Sequence, residues 1–113
     1  MVTTKPVKTS RSKVRDRSRN SVVLRGRVSG DLRDKVLANG DPVVEFRLIV
    51  KRDDSGFDTL DVSAKTAPLR RLSKSLATNE WIEVAGVIRR RFWKGANGLA
   101  SRWQVEAREM RKI

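Results

Sequence analysis

VAGVIRRRFWKGANGLASRWQV, residues 84–105, sets four arginines and a lysine beside Phe92, Trp93 and Trp103 around one turn-forming dipeptide. Asn97-Gly98 suits the two positive φ angles of a type I′ turn, so the stretch is predicted to be a β-hairpin folded about that pair. Counting outward pairs Ala96 with Leu99, Trp93 with Arg102, Phe92 with Trp103 and Arg90 with Val105. Strand side chains alternate between faces. Phe92, Trp103, Val105 and Ala107 therefore fall with Ile88, Val84 and Ile82 on the face predicted to be buried. Arg89, Arg91, Trp93, Arg102 and Gln104 fall on the other. Trp93 beside Arg102 reads in two ways: as a hairpin ring held by a cation–π contact, or as a platform for the flat bases of a polyanion.

Upstream, Asn20 to Val28 reads as a strand in which Val22, Leu24, Gly26 and Val28 alternate with Val23, Arg25 and Arg27. The missing side chain at Gly26 suggests a bend or a close backbone crossing, as a small barrel needs. After a turn through Asn39-Gly40-Asp41-Pro42, a second alternation puts Val44, Phe46, Leu48 and Val50 inside, with Glu45, Arg47, Ile49 and Lys51 outside. Lys51 to Gly56 is the next turn. A third strand, roughly Thr59 to Lys65, buries Leu60, Val62 and Ala64. A short helix follows, capped by Thr66 or Ala67, with Pro68 in its first turn and Leu69, Leu72 and Leu76 at helical spacing. Its cations Arg70, Arg71 and Lys74 face water. Strand four then runs from Glu80 to Trp93 and strand five from Leu99 to Met110, with Trp81 at the mouth of strand four as a core plug or subunit contact. The predicted class is all-β: an OB-fold, a five-stranded barrel with one short helix between strands 3 and 4. An SH3-like barrel lacks that helix, and a ferredoxin-like fold needs a second one.

The length is that of one domain, and the formal charge of +13 points to an acidic partner, nucleic acid before anionic membrane. No long apolar run and no signal-type segment occurs, so no membrane is expected to be crossed and the cytoplasm is the expected location. There is no cysteine and no histidine. Disulfides, thiolate metal sites and the commonest general base are therefore excluded. Asp53, Asp54, Asp58 and Asp61 cluster around a glycine-containing turn, where solvated Asp is ordinary. No phosphate loop or nucleophile elbow is present, so neither an enzyme nor a cofactor nor a metal is expected. Residues 1–19 hold seven Lys or Arg against one Asp and read as a disordered basic arm. Residues 20–113, still basic, form the predicted domain.

Asn20 to Val28, Asn39-Gly40-Asp41 with Phe46-Arg47-Leu48, and Glu80 to Trp93 resemble the first, second and fourth strands of bacterial single-stranded-DNA-binding proteins (SSB). The R-R-F-W hairpin ending in Ala100-Ser101-Arg102 is similar to the actinobacterial SSB-like branch. The resemblance covers Asn20 to about Arg111. It implies an OB-fold that binds single strands with little sequence preference in replication, repair or recombination. It also implies assembly as a homo-oligomer, a dimer or tetramer of OB-folds, and places Trp93 on a base-stacking aromatic. Strand three of the family offers aromatic stackers where Thr59 and Lys65 are read here, and the acidic tail of typical members has no counterpart in these residues.

The expected DNA-binding residues are Trp93, Arg89, Arg91 and Arg102 on the hairpin, with Arg25, Arg27, Arg47, Lys51 and Lys65 extending the track. The expected partner is single-stranded DNA, and RNA would satisfy the same stacking and phosphate contacts. The alternative is a replication-accessory OB protein that acts mainly through protein–protein contacts and binds DNA or RNA weakly.

Overall fold

Period-two strands make up nearly all the regular structure of the computed structural model, which describes residues 15–113. They are β1 (Val22–Val28), β2 (Arg33–Val36), β3 (Pro42–Lys51), β4 (Phe57–Ala64), β5 (Trp81–Gly95) and β6 (Gly98–Lys112), with one helix, α1 (Ala67–Lys74). Most of the predicted basic arm, residues 1–14, lies outside the described residues. Residues 15–20 are exposed and carry no regular structure. The side-chain amide of Asn20 copies a strand residue. Its Nδ2 donates to the Ile88 carbonyl at 2.7 Å, and the Ile88 N–H donates to its Oδ1 at 2.8 Å.

Five of the strands close a barrel. β1 pairs antiparallel with both β3 and β5, β3 with β4, and β5 with β6. The ring is completed by a parallel pairing of β4 with β6, through Val62↔Val105 and Ser63↔Glu106. The sixth strand, β2, was not foreseen. It pairs with the N-terminal part of β3, Arg33 opposite Glu45 and Val36 opposite Pro42, and its sequence Arg-Asp-Lys-Val has no apolar alternation to announce it. The helix still falls between the third and fourth long strands, which in the full count are β4 and β5.

The barrel is filled by Val28, Phe46, Leu48, Val62, Ile82, Val84, Val105 and Ala107, with Leu69 and Leu76 packed against them from the helical segment. Fully burying a large apolar side chain is worth about 1.5–3 kcal/mol. Pro68 occupies the first turn of α1, and the Thr66 N-cap is extended and makes no side-chain cap bond. The backbones approach closely where the strands cross. A Cβ on Gly26 would collide with the Ile49 carbonyl oxygen, and one on Gly86 with that of Glu106. The expected close crossing at Gly26 is thus present, and Gly86 marks a second, beside a register shift between Ala85 and Gly86.

The hairpin departs from its expected register. It turns on Ala96-Asn97, with Gly95 opposite Gly98, and of the turn residues only Gly98 has a positive φ, 108°. The pairing therefore slides by two residues. Phe92 faces Ser101, Arg90 faces Trp103, Trp93 faces Ala100 and Arg91 faces Arg102. A slide of two keeps the side-chain parity, so the residues sharing each face are those expected although their partners differ.

Burial is the second correction. Phe92 and Trp103 lie on the face that continues the core, yet they are 58% and 61% exposed. The last inward pair packed into the barrel is Ile88↔Val105. Beyond it the hairpin projects past the barrel, and among the described residues no second layer covers it. Trp81 is likewise exposed and plugs nothing. Among the described residues, no helix is long and apolar enough to cross a membrane.

Candidate nucleic-acid interface

Strand parity puts the odd-numbered side chains of β1, β3, β4 and β5 on the outside of the barrel, joined by Arg102, Gln104 and Glu106 of β6. Of the expected residues, Arg47, Arg89, Arg91, Trp93, Arg102 and Lys65 gather on the β3–β4–β6 sector and the outer face of the hairpin. Arg102 stands over the Trp93 ring, its guanidinium carbon 5.9 Å from the centroid. The same guanidinium reaches Asp61 Oδ2 at 3.0 Å, and Arg47 reaches Asp61 Oδ1 at 3.3 Å. Glu106 gathers Lys65 at 3.1 Å, Arg108 at 3.3 Å and Arg89 at 3.7 Å. Arg91 donates to Gln104 Oε1 at 3.0 Å, while Gln104 Nε2 donates to Glu45.

The vertical arrangement in these clusters matters. Asp61 and Glu106 side chains are 11% and 15% exposed, whereas the cations on them, Arg102 and Arg89, are 51% and 52% exposed. The carboxylates form a low tier that aims the cations outward; Glu106 serves three cations, so its cluster stays positive, whereas the Asp61 cluster is balanced because Arg47 also pairs with Asp31 at 3.4 Å. Burial pushes the Glu106 carboxyl up, but the hydrogen bond from Lys65 and the charges of Lys65, Arg108 and Arg89 outweigh it and hold the group below its usual range. The cation ends of these pairs are half-exposed, so a phosphate can compete with the carboxylate from the solvent side.

The other expected residues lie elsewhere on the barrel. Arg25 binds Glu83 at 2.7 Å in a cluster shared with Arg111 on the β1–β5 side. Hydrogen bonds from Arg25 and then Arg111 hold the Glu83 carboxyl low. Lys65 belongs to the Glu106 cluster above, although it follows the end of β4 rather than lying within it. Lys51 closes β3 opposite Phe57.

Phe57 is a candidate for this surface that sequence reasoning passed over. It opens β4 on the outward phase, is 57% exposed, and carries Arg27 at 5.5 Å from its ring centroid. Arg27 also faces Trp81 across the β1–β5 pair. Extending the Thr59 phase back by two residues would have found Phe57 as the outward aromatic of this strand. The outer surface therefore holds two arginine–aromatic stations, Arg27 with Phe57 and Arg102 with Trp93, with Arg47 and Asp61 on the strands that link them. Among the described residues, no three carboxylates are grouped to hold a metal ion.

No protein-family model matches the sequence, and no curated protein matches it. Among solved structures the chain is similar to an SSB of Plasmodium falciparum in complex with ssDNA, with a TM-score of 0.72 over 88% of this chain and 99% of that one. Sequence identity is 21%, so the likeness is one of fold: an SSB-like OB barrel.

Proposed function

We propose that the chain binds single-stranded DNA without sequence preference, along the outward face that runs from Phe57 and Arg27 past Arg47 and Lys65 to the hairpin. The observation that carries this reading is the Arg102–Trp93 station, a half-exposed indole under a guanidinium at the end of a line of outward cations. Phosphates displace Asp61 and Glu106 from cations already aimed outward, releasing counterions. A base stacked on Trp93 adds about 1–3 kcal/mol. Binding needs no catalysis and no cofactor. In this reading the chain is a cytoplasmic homo-oligomer of the bacterial SSB type, in its actinobacterial SSB-like branch, acting in replication, repair or recombination.

Titration of the protein with oligo-dT at several salt concentrations tests it. Saturable binding whose logarithmic affinity falls linearly with the logarithm of salt is expected. The ion pairing of most track cations favours a second reading, in which the same barrel serves mainly protein partners. Affinity for oligo-dT no better than that of a generic polycation would select it.

A further inference from the structure

The projecting part of the hairpin has a second face. On it the guanidinium carbon of Arg90 lies 5.3 Å from the Phe92 centroid and 5.5 Å from that of Trp103, so the cation is shared between two exposed rings. Arg90 hydrogen-bonds Ser101 Oγ at 3.0 and 3.2 Å, and no carboxylate among the described residues pairs with it. This sets it apart from Arg47, Arg89 and Arg102 of the outer face, which pair with carboxylates.

The two faces communicate. β4 and β6 are paired only through Val62↔Val105 and Ser63↔Glu106. Past Val62 their backbones part, with the Arg102–Asp61 ion pair at 3.0 Å bridging the opening, and leave a cleft of about 530 Å³. Inward residues (Leu60, Ile88, Trp103) and outward ones (Thr59, Asp61, Arg102) line it together. Such a volume falls within the range of small-molecule pockets, and its wall runs from the Arg102 station on one face to Trp103 on the other.

We propose that Phe92, Arg90 and Trp103 form a second contact surface for the single strand, on which bases stack after the strand leaves the outer face through the gap between β4 and β6. This rests on the outer-face reading given above. The charge selects the occupant. Between Ile88 and Val105 this face carries Arg90 and Lys94 and no carboxylate, so a second copy laid against it would bring like charges together. The paired rings offer a flat base more than they offer an acidic side chain.

The three tryptophans provide the test. Trp81→Phe with Trp93→Phe leaves Trp103 as the sole indole, and Trp81→Phe with Trp103→Phe leaves Trp93. Both proteins are titrated with oligo-dT of increasing length. Quenching of Trp93 emission by short oligomers and of Trp103 emission by longer ones is expected. Trp103→Ala should weaken binding of the longer oligomers about 5- to 150-fold and leave the short ones unchanged. Trp103 emission that stays constant while Trp93 is quenched overturns this inference and leaves the outer face intact. Silence of both overturns both. Trp103 emission that changes with protein concentration alone, or equally with poly-glutamate, also overturns the inference, because it makes the face a self-association or acidic-peptide surface.

Discussion

Arg102 covers Trp93 diagonally: the guanidinium carbon is 5.9 Å from the ring centroid, although Trp93 faces Ala100 across the ribbon and Arg102 faces Arg91. The diagonal lets one guanidinium touch both the ring and Asp61 while the indole stays 46% exposed.

Trp93→Ala should weaken oligo-dT binding by about 1–3 kcal/mol and leave the thermal midpoint nearly unchanged, since the ring lies outside the core. Trp93→Phe should retain most of the affinity. Fluorescence anisotropy with a labelled oligo-dT and a melting curve read the two quantities separately. A large fall in melting temperature would assign the ring to packing.

Asp61 holds Arg47 and Arg102, and in the proposed reading it competes with phosphate for them. Asp61→Asn should therefore tighten oligo-dT binding at low salt and steepen its salt dependence, by up to about one phosphate contact's worth of slope. Its effect on stability should stay near or below ~1 kcal/mol per lost pair. Unchanged affinity and slope would show that DNA does not pass over this cluster.

Phe92 and Phe46 separate the projecting hairpin from the barrel. Phe46 is fully buried, and Phe46→Ala should cost about 3–5 kcal/mol of unfolding free energy. Phe92→Ala removes a largely exposed ring and should cost well under half of that. Urea denaturation of both variants, with unchanged m-values, makes the comparison.

The Glu106 carboxyl titrates below its ordinary value of 4.5 in the folded chain. A depressed folded value contributes stability above the unfolded value, and that contribution is lost as pH falls through the folded one. Wild type should thus be more stable than Glu106→Gln near neutrality. The difference should shrink as pH drops from about 5 towards 3, measured as urea midpoints. A difference that is constant with pH would mean that the lysine and arginines do not stabilise the ionised carboxylate.

The period-two alternation of Val44, Phe46 and Leu48, and of Ile82 and Val84, made the strands and most of the core legible, because a one-sided buried surface must repeat every second residue. The leucines after Pro68 did the same for the helix. Three features were not legible, each for a physical reason. The hairpin register depends on which residues adopt positive φ, and Asn97 offered one that the chain does not use. The exposure of Phe92 and Trp103 depends on where the opposite wall of the barrel stops, which no local pattern records. β2 is held by the edge of β3 rather than by its own side chains. At the candidate site, charge and aromatic content pointed to the neighbours Trp93 and Arg102, which the fold does bring together, but not to the carboxylates Asp61 and Glu106 that lie beneath the cations, since that depends on pairing between distant strands.

A closed ring yields first at its short joins, and one of these, no longer than the antiparallel meeting of β1 and β3 at Arg27↔Ile49 and Val28↔Leu48, is the parallel meeting of β4 and β6 at Val62↔Val105 and Ser63↔Glu106, against an antiparallel ribbon that runs from Ile82↔Lys112 to Gly95↔Gly98. Amide hydrogens on the two sides of this join should exchange through a local opening that leaves the ribbon protected, at a free energy below that of global unfolding. On the proposed path a single strand from Arg47 on β3 to Arg102 on β6 crosses the β4–β6 seam beside this join and acts as a clasp. Saturating oligo-dT should then slow exchange at Ser63 and Val105 more than at Ile82 or Val84, making the bound polymer part of what keeps the barrel shut.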